Sequence, residues 1–395
     1  MTRVKLFKAL FLVFAAFDNA FSGTVRARET ELQQALEALQ ERYAFPGATA
    51  AIVATDGVLT VATVGFADVE NARAMAPDTM MLAASIGKTF VGATVLALES
   101  EGRLARSDRL SDYFEGELWF RDLPNARDIT LDQLLHHTAG LPDHVYLPEF
   151  QQAWTTLAAQ ENDIAPTDLV TFLSDKAPLF EVGTAWSYSD TGYVLLGLVI
   201  EAVTGNAWQE EVQVRFLEPL KLLNTVPLDS RALPGLAVGY VARDNYFGLP
   251  ERTADAGGRL LWNPTLEAAG GGFASTARDL ARWGHALFEG EAMNAPYLSR
   301  LLDSVVITGG PPDSCYGAGV AIRRNTPWGS VYGHAGWVPG YVSSMRHYAE
   351  YGVTIAFQIN SDIGFTESSS DRLQTIEAAL ASIALETDAS EEPIE

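Results

Sequence analysis

The chain has 395 residues, 48% of them hydrophobic and 19% charged, a composition typical of a globular protein with a large core. Its 50 acidic and 27 basic residues give a formal net charge of −23 without a basic stripe, which disfavours nucleic acid as a partner. The one cysteine, Cys315, excludes an internal disulfide and a Cys-x-x-Cys motif, and we interpret it as a small residue before a strand rather than a catalytic thiol.

The N-terminus has the pattern of a cleavable export signal. Three basic residues within the first eight positions precede a short apolar stretch, Ala9–Phe17, and small residues at Ala20 and Ser22 predict cleavage after Ser22. The apolar stretch is much shorter than the roughly 20 residues that a membrane-spanning helix needs. We therefore expect a periplasmic or secreted protein with no stable membrane span after cleavage; the alternative is a buried N-terminal helix.

Two segments after the signal have a clear periodicity. Leucines at helical spacing, separated by charged residues, predict an amphipathic helix over Glu29–Tyr43. Two β-rich runs, Ala48–Ala54 and Val58–Val64, flank Thr55-Asp56-Gly57, and Asp-Gly between apolar runs is a strong hairpin signal. The sequence therefore predicts a helix followed by two antiparallel strands.

The middle of the chain, residues 105–285, is predicted to be mostly helical with long polar loops. Apolar runs predict two buried helices, Phe90–Leu98 and Thr191–Thr204, each closed by a glycine. Ser275-Thr276, followed by Asp279, is typical of a cap at the start of a further helix.

After about residue 316 the pattern returns to strands. The predicted strands are Gly317–Ile322, Ser330–Tyr332, Val342–Tyr348 and Val353–Ile359. A last helix, Asp371–Leu385, precedes an acidic tail over 386–395 that we expect to be disordered. Strands at both ends around a helical centre predict one α/β domain over 23–385, with a sheet completed by the C-terminal strands and a helical subdomain inserted.

The first candidate catalytic element is Ser85-Ile86-Gly87-Lys88. Since the following run is helical, Ser85 is predicted at a helix N-terminus with Lys88 at i+3 on the same face. Free N–H groups of the first turn can stabilise an oxyanion, and the helix dipole with partial burial favours the neutral, basic form of the lysine. Such a lysine can activate the serine hydroxyl. The alternative is a serine cap followed by an exposed lysine.

Two further elements carry candidate site residues. Tyr188 and Asp190 precede the second buried helix, where a tyrosine hydroxyl can point into a cleft and a nearby cation eases the loss of its proton. Gly333–Gly340 contains three glycines that allow close approach of the backbone to a ligand, and the N–H of Trp337 is a candidate second oxyanion donor. The alternatives are a packed loop tyrosine and a glycine-rich hairpin with a structural histidine.

In this order, the three elements resemble the serine β-lactamase and penicillin-binding-protein superfamily, whose motifs include Ser-x-x-Lys and a Lys-Thr-Gly type strand. The resemblance covers about residues 30–385 and is closest to the branch of class C β-lactamases, D-alanyl-D-alanine carboxypeptidases and family VIII esterases. The further matching segments are Leu134–Leu141, Tyr188–Gly197, Phe216–Leu220, Gly270–Thr276 and His334–Ser343. The resemblance implies an antiparallel sheet flanked by helices, an inserted helical subdomain, and chemistry that needs no metal or other cofactor.

The resemblance also assigns roles to individual residues. It implies that Ser85 is the nucleophile that becomes acylated and that Lys88 and Tyr188 share the proton transfers. The N–H groups of Ser85 and Trp337 would form the oxyanion hole. His136 and Thr138, in the Leu134–Leu141 segment, would order a loop near the site.

Two residues depart from the pattern of the branch. Asp190 stands where the branch usually has asparagine, and a carboxylate about 4 Å from Lys88 favours the charged lysine by roughly 4 kcal/mol at an effective dielectric near 20. We therefore expect Tyr188 to be the acylation base. His334 replaces a lysine beside Gly336, on the wall where related enzymes hold the substrate carboxylate, and a neutral imidazole attracts a carboxylate less strongly.

We therefore expect a serine hydrolase, either a D-alanyl-D-alanine carboxypeptidase-like peptidase or a small-ester esterase, with weak or no β-lactamase activity. The expected substrate is a small molecule or short peptide: a D-amino-acid peptide, an ester or a β-lactam. A class C-like β-lactamase and a non-catalytic peptidoglycan- or penicillin-sensing relative stay open as alternatives. A metal hydrolase is disfavoured because no His-x-x-x-His pair occurs. The loops Tyr113–Leu123 and Pro142–Trp154 are predicted to build the substrate pocket.

Overall fold

The structure is a computed structural model that describes residues 26–245, 247–365 and 370–389. The predicted export signal over residues 1–22 lies outside the described residues, as do positions 390–395 of the predicted tail, so export stays a prediction. Among the described helices, none has the length and apolar character that crossing a membrane requires.

The main sheet confirms the expected antiparallel architecture. The strands of the described ranges, numbered along the chain, are β1 (Gly47–Val53), β2 (Leu59–Asp68), β3 (Arg73–Ala74), β4 (Met81–Leu82), β5 (Val226–Pro227), β6 (Phe273–Ser275), β7 (Val305–Val306), β8 (Ser314–Tyr316), β9 (Ala321–Thr326), β10 (Gly329–Val338), β11 (Tyr341–Tyr348) and β12 (Val353–Ile359). Nine of them form one sheet in the order β3-β2-β1-β12-β11-β10-β9-β8-β7, and three form a small sheet in the order β4-β6-β5. The C-terminal strands complete the main sheet because β12 pairs antiparallel with β1.

Helices fill the centre of the chain and cover both faces of the sheet. They are α1 (26–43), α2 (Gly87–Ser100), α3 (Ser111–Phe114), α4 (Leu131–Leu135), α5 (Pro148–Ala158), α6 (Pro166–Val170), α7 (Asp190–Thr204), α8 (Trp208–Val212), α9 (Ala268–Gly271), α10 (Ala277–Phe288), α11 (Tyr297–Leu301) and α12 (Ser370–Ala389). Short turns of 3₁₀ helix occupy Ala84–Ile86, Trp119–Asp122, His144–Tyr146, Thr171–Leu173 and Pro264–Glu267, and a π-turn occupies Gln213–Leu217. The predicted cap is confirmed, since the Thr276 side chain accepts from the Asp279 N–H at the start of α10.

The main sheet separates two hydrophobic cores, which explains why its central strands are apolar on both faces. Along β1, Ala50 and Ile52 pack with α1 and α12, whereas Ala51 and Val53 face the larger core that contains α2, α7 and α10. This alternation is the period of two that a strand imposes on its side chains.

Some predicted boundaries are wrong. The predicted strand Ser330–Tyr332 is part of the longer β10, which continues to Val338. The predicted strand Gly317–Ile322 is interrupted, because Gly317–Val320 forms a turn between β8 and β9 in which the Gly317 N–H donates to the Val320 carbonyl at 2.8 Å. Gly319 has a φ of +81°, a left-handed conformation that a regular strand does not contain. The last helix continues to Ala389, so residues 386–389 of the predicted disordered tail are helical.

Helices α2 and α7 bring two of the sequence motifs together. Both helices are buried along most of their length, and α2 is anchored by Phe90, whose ring stacks on Trp283 of α10 at 4.2 Å between centroids. The N-terminal turn of α2 carries Lys88, and α7 begins at Asp190. The N-termini of the two helices therefore meet beneath the end of β10, where the candidate site lies.

Candidate active site

Ser85 lies in the 3₁₀ turn that joins β4 to α2. The preceding residue, Ala84, has a φ of +49°, a left-handed conformation that costs a residue other than glycine about 1–3 kcal/mol. Two glycines let neighbouring segments press against this turn. A Cβ on Gly271 would lie 2.8 Å from the Ala84 carbonyl carbon, and a Cβ on Gly336 would lie 2.3 Å from the Ala83 oxygen. The turn is therefore held from two sides, with Ser85 facing a cleft.

Lys88 lies one helical turn after Ser85 and is fully buried. Its ammonium donates to Ser85 Oγ at 3.3 Å, to the carboxylate of Asp190 and to the carbonyl of Gly270. Asp190 is its one ion-pair partner within the described residues. A buried charge needs such a partner, so the carboxylate stabilises the charged form of the lysine.

Two more carboxyl groups surround this pair, and sequence reasoning missed both. The Asp190 N–H donates to Asp143 Oδ2 at 3.1 Å, and Glu267 lines the same cleft as Asp190. Burial and the charge of Asp190 raise the pKa of Asp143 to about 7 and the pKa of Glu267 to about 7. Near neutral pH, Lys88 therefore faces one carboxylate and two partly protonated carboxyl groups.

The Tyr188 side chain lines the site, but its pKa is higher than its nearness to a cation led us to expect. Lys88 Nζ lies 4.9 Å from the centre of the Tyr188 ring. Even so, burial and the negative charge of Asp190 raise the pKa of Tyr188 well above its usual value. The nearby Ser85 hydroxyl lowers the pKa in part, although the two hydroxyls do not meet hydrogen-bond geometry in the described structure. The expectation of an easily ionised phenol is therefore wrong, and Tyr188 is neutral at rest.

His334 lines the cleft as a neutral imidazole with both ring nitrogens engaged. Nδ1 lies 2.5 Å from the Ala335 carbonyl, which can accept but not donate, so Nδ1 carries the proton and Nε2 accepts from the Tyr316 hydroxyl at 2.8 Å. Burial and the charge of Lys88 lower the pKa of His334 to about 3. Neither nitrogen is available to hold a carboxylate.

Trp337 is placed so that its N–H is free for a ligand. The Val338–Tyr341 pair closes a two-residue turn between β10 and β11, and the next pair is Trp337 with Val342. Because hydrogen-bonded pairs alternate in an antiparallel ladder, the Trp337 N–H points away from β11. The pairing of β10 with β9 ends at Gly333. The edge of β10 that faces away from β11 is therefore unpaired at Trp337, where it lines the cleft.

The cleft has a volume of about 330 Å³ and aromatic walls. Its aromatic lining residues, apart from Tyr188, are Tyr146, Phe150, Trp154, Phe247, Trp337 and Phe365. The predicted loop Pro142–Trp154 contributes to this wall, whereas Tyr113–Leu123 does not, because Phe114 and Phe120 pack into the core instead. No lysine or arginine is found among the described residues that line the cleft.

His136 and His144 make different contacts. Both His136 ring nitrogens bond to backbone carbonyls, those of Asp132 and Asp303, which agrees with the structural role expected of this residue. His144 Nδ1 bonds to the Thr191 hydroxyl, while its buried Nε2 has no hydrogen-bond partner among the residues that the structure describes. Over the described ranges, no three His, Cys, Asp or Glu side chains are arranged to hold a metal ion.

A protein family and several known proteins match this sequence over half of its length or more. The family model for Beta-lactamase matches residues 32–380. Penicillin-binding protein 4* of Bacillus subtilis (strain 168) is 25% identical over 343 residues, which cover 85% of this chain and 72% of the relative. Penicillin-binding protein 4 of Amycolatopsis lactamdurans is 27% identical over 201 residues, half of its own length.

Solved structures with the same fold include two amide hydrolases. A D-stereospecific amidohydrolase from Streptomyces sp. is 29% identical, with a TM-score of 0.73 over 85% of this chain and 94% of its own. The D-amino acid amidase from Ochrobactrum anthropi SV3, in complex with L-phenylalanine amide, is 24% identical, with a TM-score of 0.76 over 92% of this chain and 99% of its own. At that identity the second likeness concerns the fold alone.

Proposed function

Because the chain belongs to the Beta-lactamase family, we propose that it is a serine hydrolase that cleaves a compact amide or ester through an acyl-enzyme on Ser85. The observation that supports this most directly is the contact of Lys88 Nζ with Ser85 Oγ at 3.3 Å, where Ser85 lines the cleft. A serine beside a buried cation and a proton acceptor is the arrangement that nucleophilic catalysis needs.

The acylation step follows from the protonation of the groups around Ser85. Its oxygen attacks the substrate carbonyl carbon, and its proton passes to Tyr188 Oη while Tyr188 passes its own proton to the leaving nitrogen or oxygen. The phenol stays neutral throughout, in keeping with its raised pKa. Lys88 remains an ammonium held by Asp190 and orients the serine hydroxyl.

The oxyanion and the second half-reaction use the same groups. The N–H groups of Ser85, in the first turn of its helix, and of Trp337, on the open edge of β10, are the donors for the negative oxygen. In deacylation, water takes the place of the leaving group, gives one proton to Tyr188 and attacks the acyl carbon. Tyr188 returns a proton to Ser85 Oγ as the ester bond breaks.

The charge of the cleft favours some substrates over others. A carboxypeptidase or β-lactamase must hold a substrate carboxylate, but His334 is neutral with both nitrogens engaged. The described lining residues offer no other cation to replace it. We therefore propose an amidase or esterase over a D-alanyl-D-alanine carboxypeptidase, in line with the amide hydrolases among the similar structures.

A parallel turnover panel tests this function. It consists of a short-chain nitrophenyl ester, a D-amino acid amide, a D-Ala-D-Ala peptide and a chromogenic cephalosporin, each with Ser85→Ala as the control. We expect turnover of the ester and the amide that Ser85→Ala abolishes, with little turnover of the two carboxylate substrates. A fluorophosphonate that fails to label Ser85 would instead support a non-catalytic relative.

A further inference from the structure

Glu267 stands close to the nucleophile without a part in the proposed proton transfers. It ends the 3₁₀ turn Pro264–Glu267, directly before α9. An ideal Cβ built on Gly271 would lie 2.8 Å from the Ala84 carbonyl carbon and 2.9 Å from Glu267 Oε2. The Glu267 carboxyl and the peptide bond whose N–H belongs to Ser85 therefore both border Gly271.

The Glu267 carboxyl has no partner of its own. No hydrogen bond or ion pair to its side chain exists within the described residues. Burial and the charge of Asp190 raise the pKa of Glu267, and the charge of Lys88 lowers it. Lys88 is already bound to Asp190 and to the Gly270 carbonyl. Lys88 thus offsets the charge of Asp190, and the ionised fraction of Glu267 is left for a ligand.

The walls around Glu267 suit a cation on an apolar group. The cleft is lined by aromatic rings, including Phe150, Trp154 and Trp337, and a cation near such rings gains further attraction. His144 also lines the cleft, and its Nε2 is buried with no hydrogen-bond partner among the described residues, so the cleft has a further polar atom that a ligand can satisfy.

We propose that Glu267 binds a protonated amino group on the carbon next to the scissile carbonyl, so that the protein selects aminoacyl amides and esters with a free amine. This proposal rests on the proposed function, since the carbonyl must reach Ser85 for the amine to reach Glu267. The ammonium becomes the partner that the carboxylate lacks. N-acylated peptides, whose amine carries no charge, lose this contact.

The test compares substrates that share a leaving group and differ at the amine. These are the p-nitroanilides of D-phenylalanine and of 3-phenylpropionic acid, which has hydrogen in place of the amino group. A hydrogen bond to a charged group contributes about 1.5–3 kcal/mol, so the wild type should prefer the aminated substrate by about 10- to 100-fold in kcat/KM. Glu267→Gln should lower that ratio by the same factor.

The matched control is Glu117→Gln, an exposed glutamate outside the cleft, which should keep the wild-type ratio. A Glu267→Gln ratio equal to that of the wild type overturns the proposal, whether both rates fall together or neither falls. If Ser85→Ala abolishes turnover of both substrates, the proposed function stands whatever the ratio is. If the wild type hydrolyses neither anilide nor the ester of the panel, the function and the proposal both fail.

Discussion

Replacing Asp190 with asparagine removes the countercharge of a fully buried ammonium. Lys88 has no exposed surface, and Asp190 is its one ion-pair partner in the described part of the chain. The amide oxygen of asparagine can still accept from Nζ, so the substitution removes the charge and preserves the shape. Any change in the pH dependence then reports the electrostatic role of Asp190.

The size of the effect follows from the neighbours of Asp190. Opposite charges about 4 Å apart attract by about 4 kcal/mol at an effective dielectric near 20, equal to about three pH units. The Asp190 side chain is 26% exposed, and water screens part of this attraction. Burial and, second to it, the charge of Asp190 raise the pKa values of Asp143 and Glu267 to about 7, so without that charge these groups ionise at lower pH and replace part of the lost charge. We expect a net shift of about one to two pH units.

The assay is the pH dependence of kcat/KM for a neutral nitrophenyl ester, with the Ser85→Ala rate subtracted as background. In Asp190→Asn, the lysine gives up its proton more easily and becomes a base for Ser85, so the rise of activity with pH should move to lower pH. Asp128→Asn, an exposed aspartate away from the cleft, is the control and should leave the profile in place. A profile that coincides with the wild type would refute the role assigned to Asp190.

Three further substitutions test the site and its surroundings. Tyr188→Phe removes the proton relay and should lower kcat by about 10²- to 10⁴-fold with little change in melting temperature; near-wild-type acylation in stopped-flow traces would assign the relay elsewhere. Gly336→Ala places a Cβ 2.3 Å from the Ala83 oxygen, so it should displace the turn that carries Ser85, lower the free energy of unfolding by about 1–3 kcal/mol and lower kcat/KM by about 10²-fold; a variant with unchanged kinetics would contradict the close packing described. Asp143→Asn concerns stability: the folded protein holds the Asp143 proton up to about pH 7 while the unfolded chain releases it near its usual pKa of 3.8, so wild-type stability should fall across that window as pH rises. In the variant, the free energy of unfolding measured in urea should lack this pH-dependent contribution, which is at most about 4 kcal/mol. If the free energy of unfolding changed with pH in the same way in both proteins, the raised pKa of Asp143 would be refuted.

The sequence by itself determined the elements whose patterns are local. The hairpin around Asp56-Gly57 and the strand β12 follow from apolar runs bounded by turn residues. Helix α7 follows from an apolar run ended by Gly205, whose φ is +79°. Ser85 and Lys88 were predicted to be neighbours because residues three apart on a helix share a face, and their atoms lie 3.3 Å apart. Such features depend on a few consecutive residues, which the sequence displays.

The pKa values of the groups in the site were decided by the tertiary structure alone. Asp143, Asp190 and Glu267 come from three separate segments, and no local pattern shows that they converge on Lys88. Sequence reasoning placed a cation near Tyr188 and expected an easily ionised phenol. Burial and the charge of Asp190 raise its pKa instead. Desolvation depends on everything packed around a group, and charges act through space, so both quantities exist only once the chain is folded.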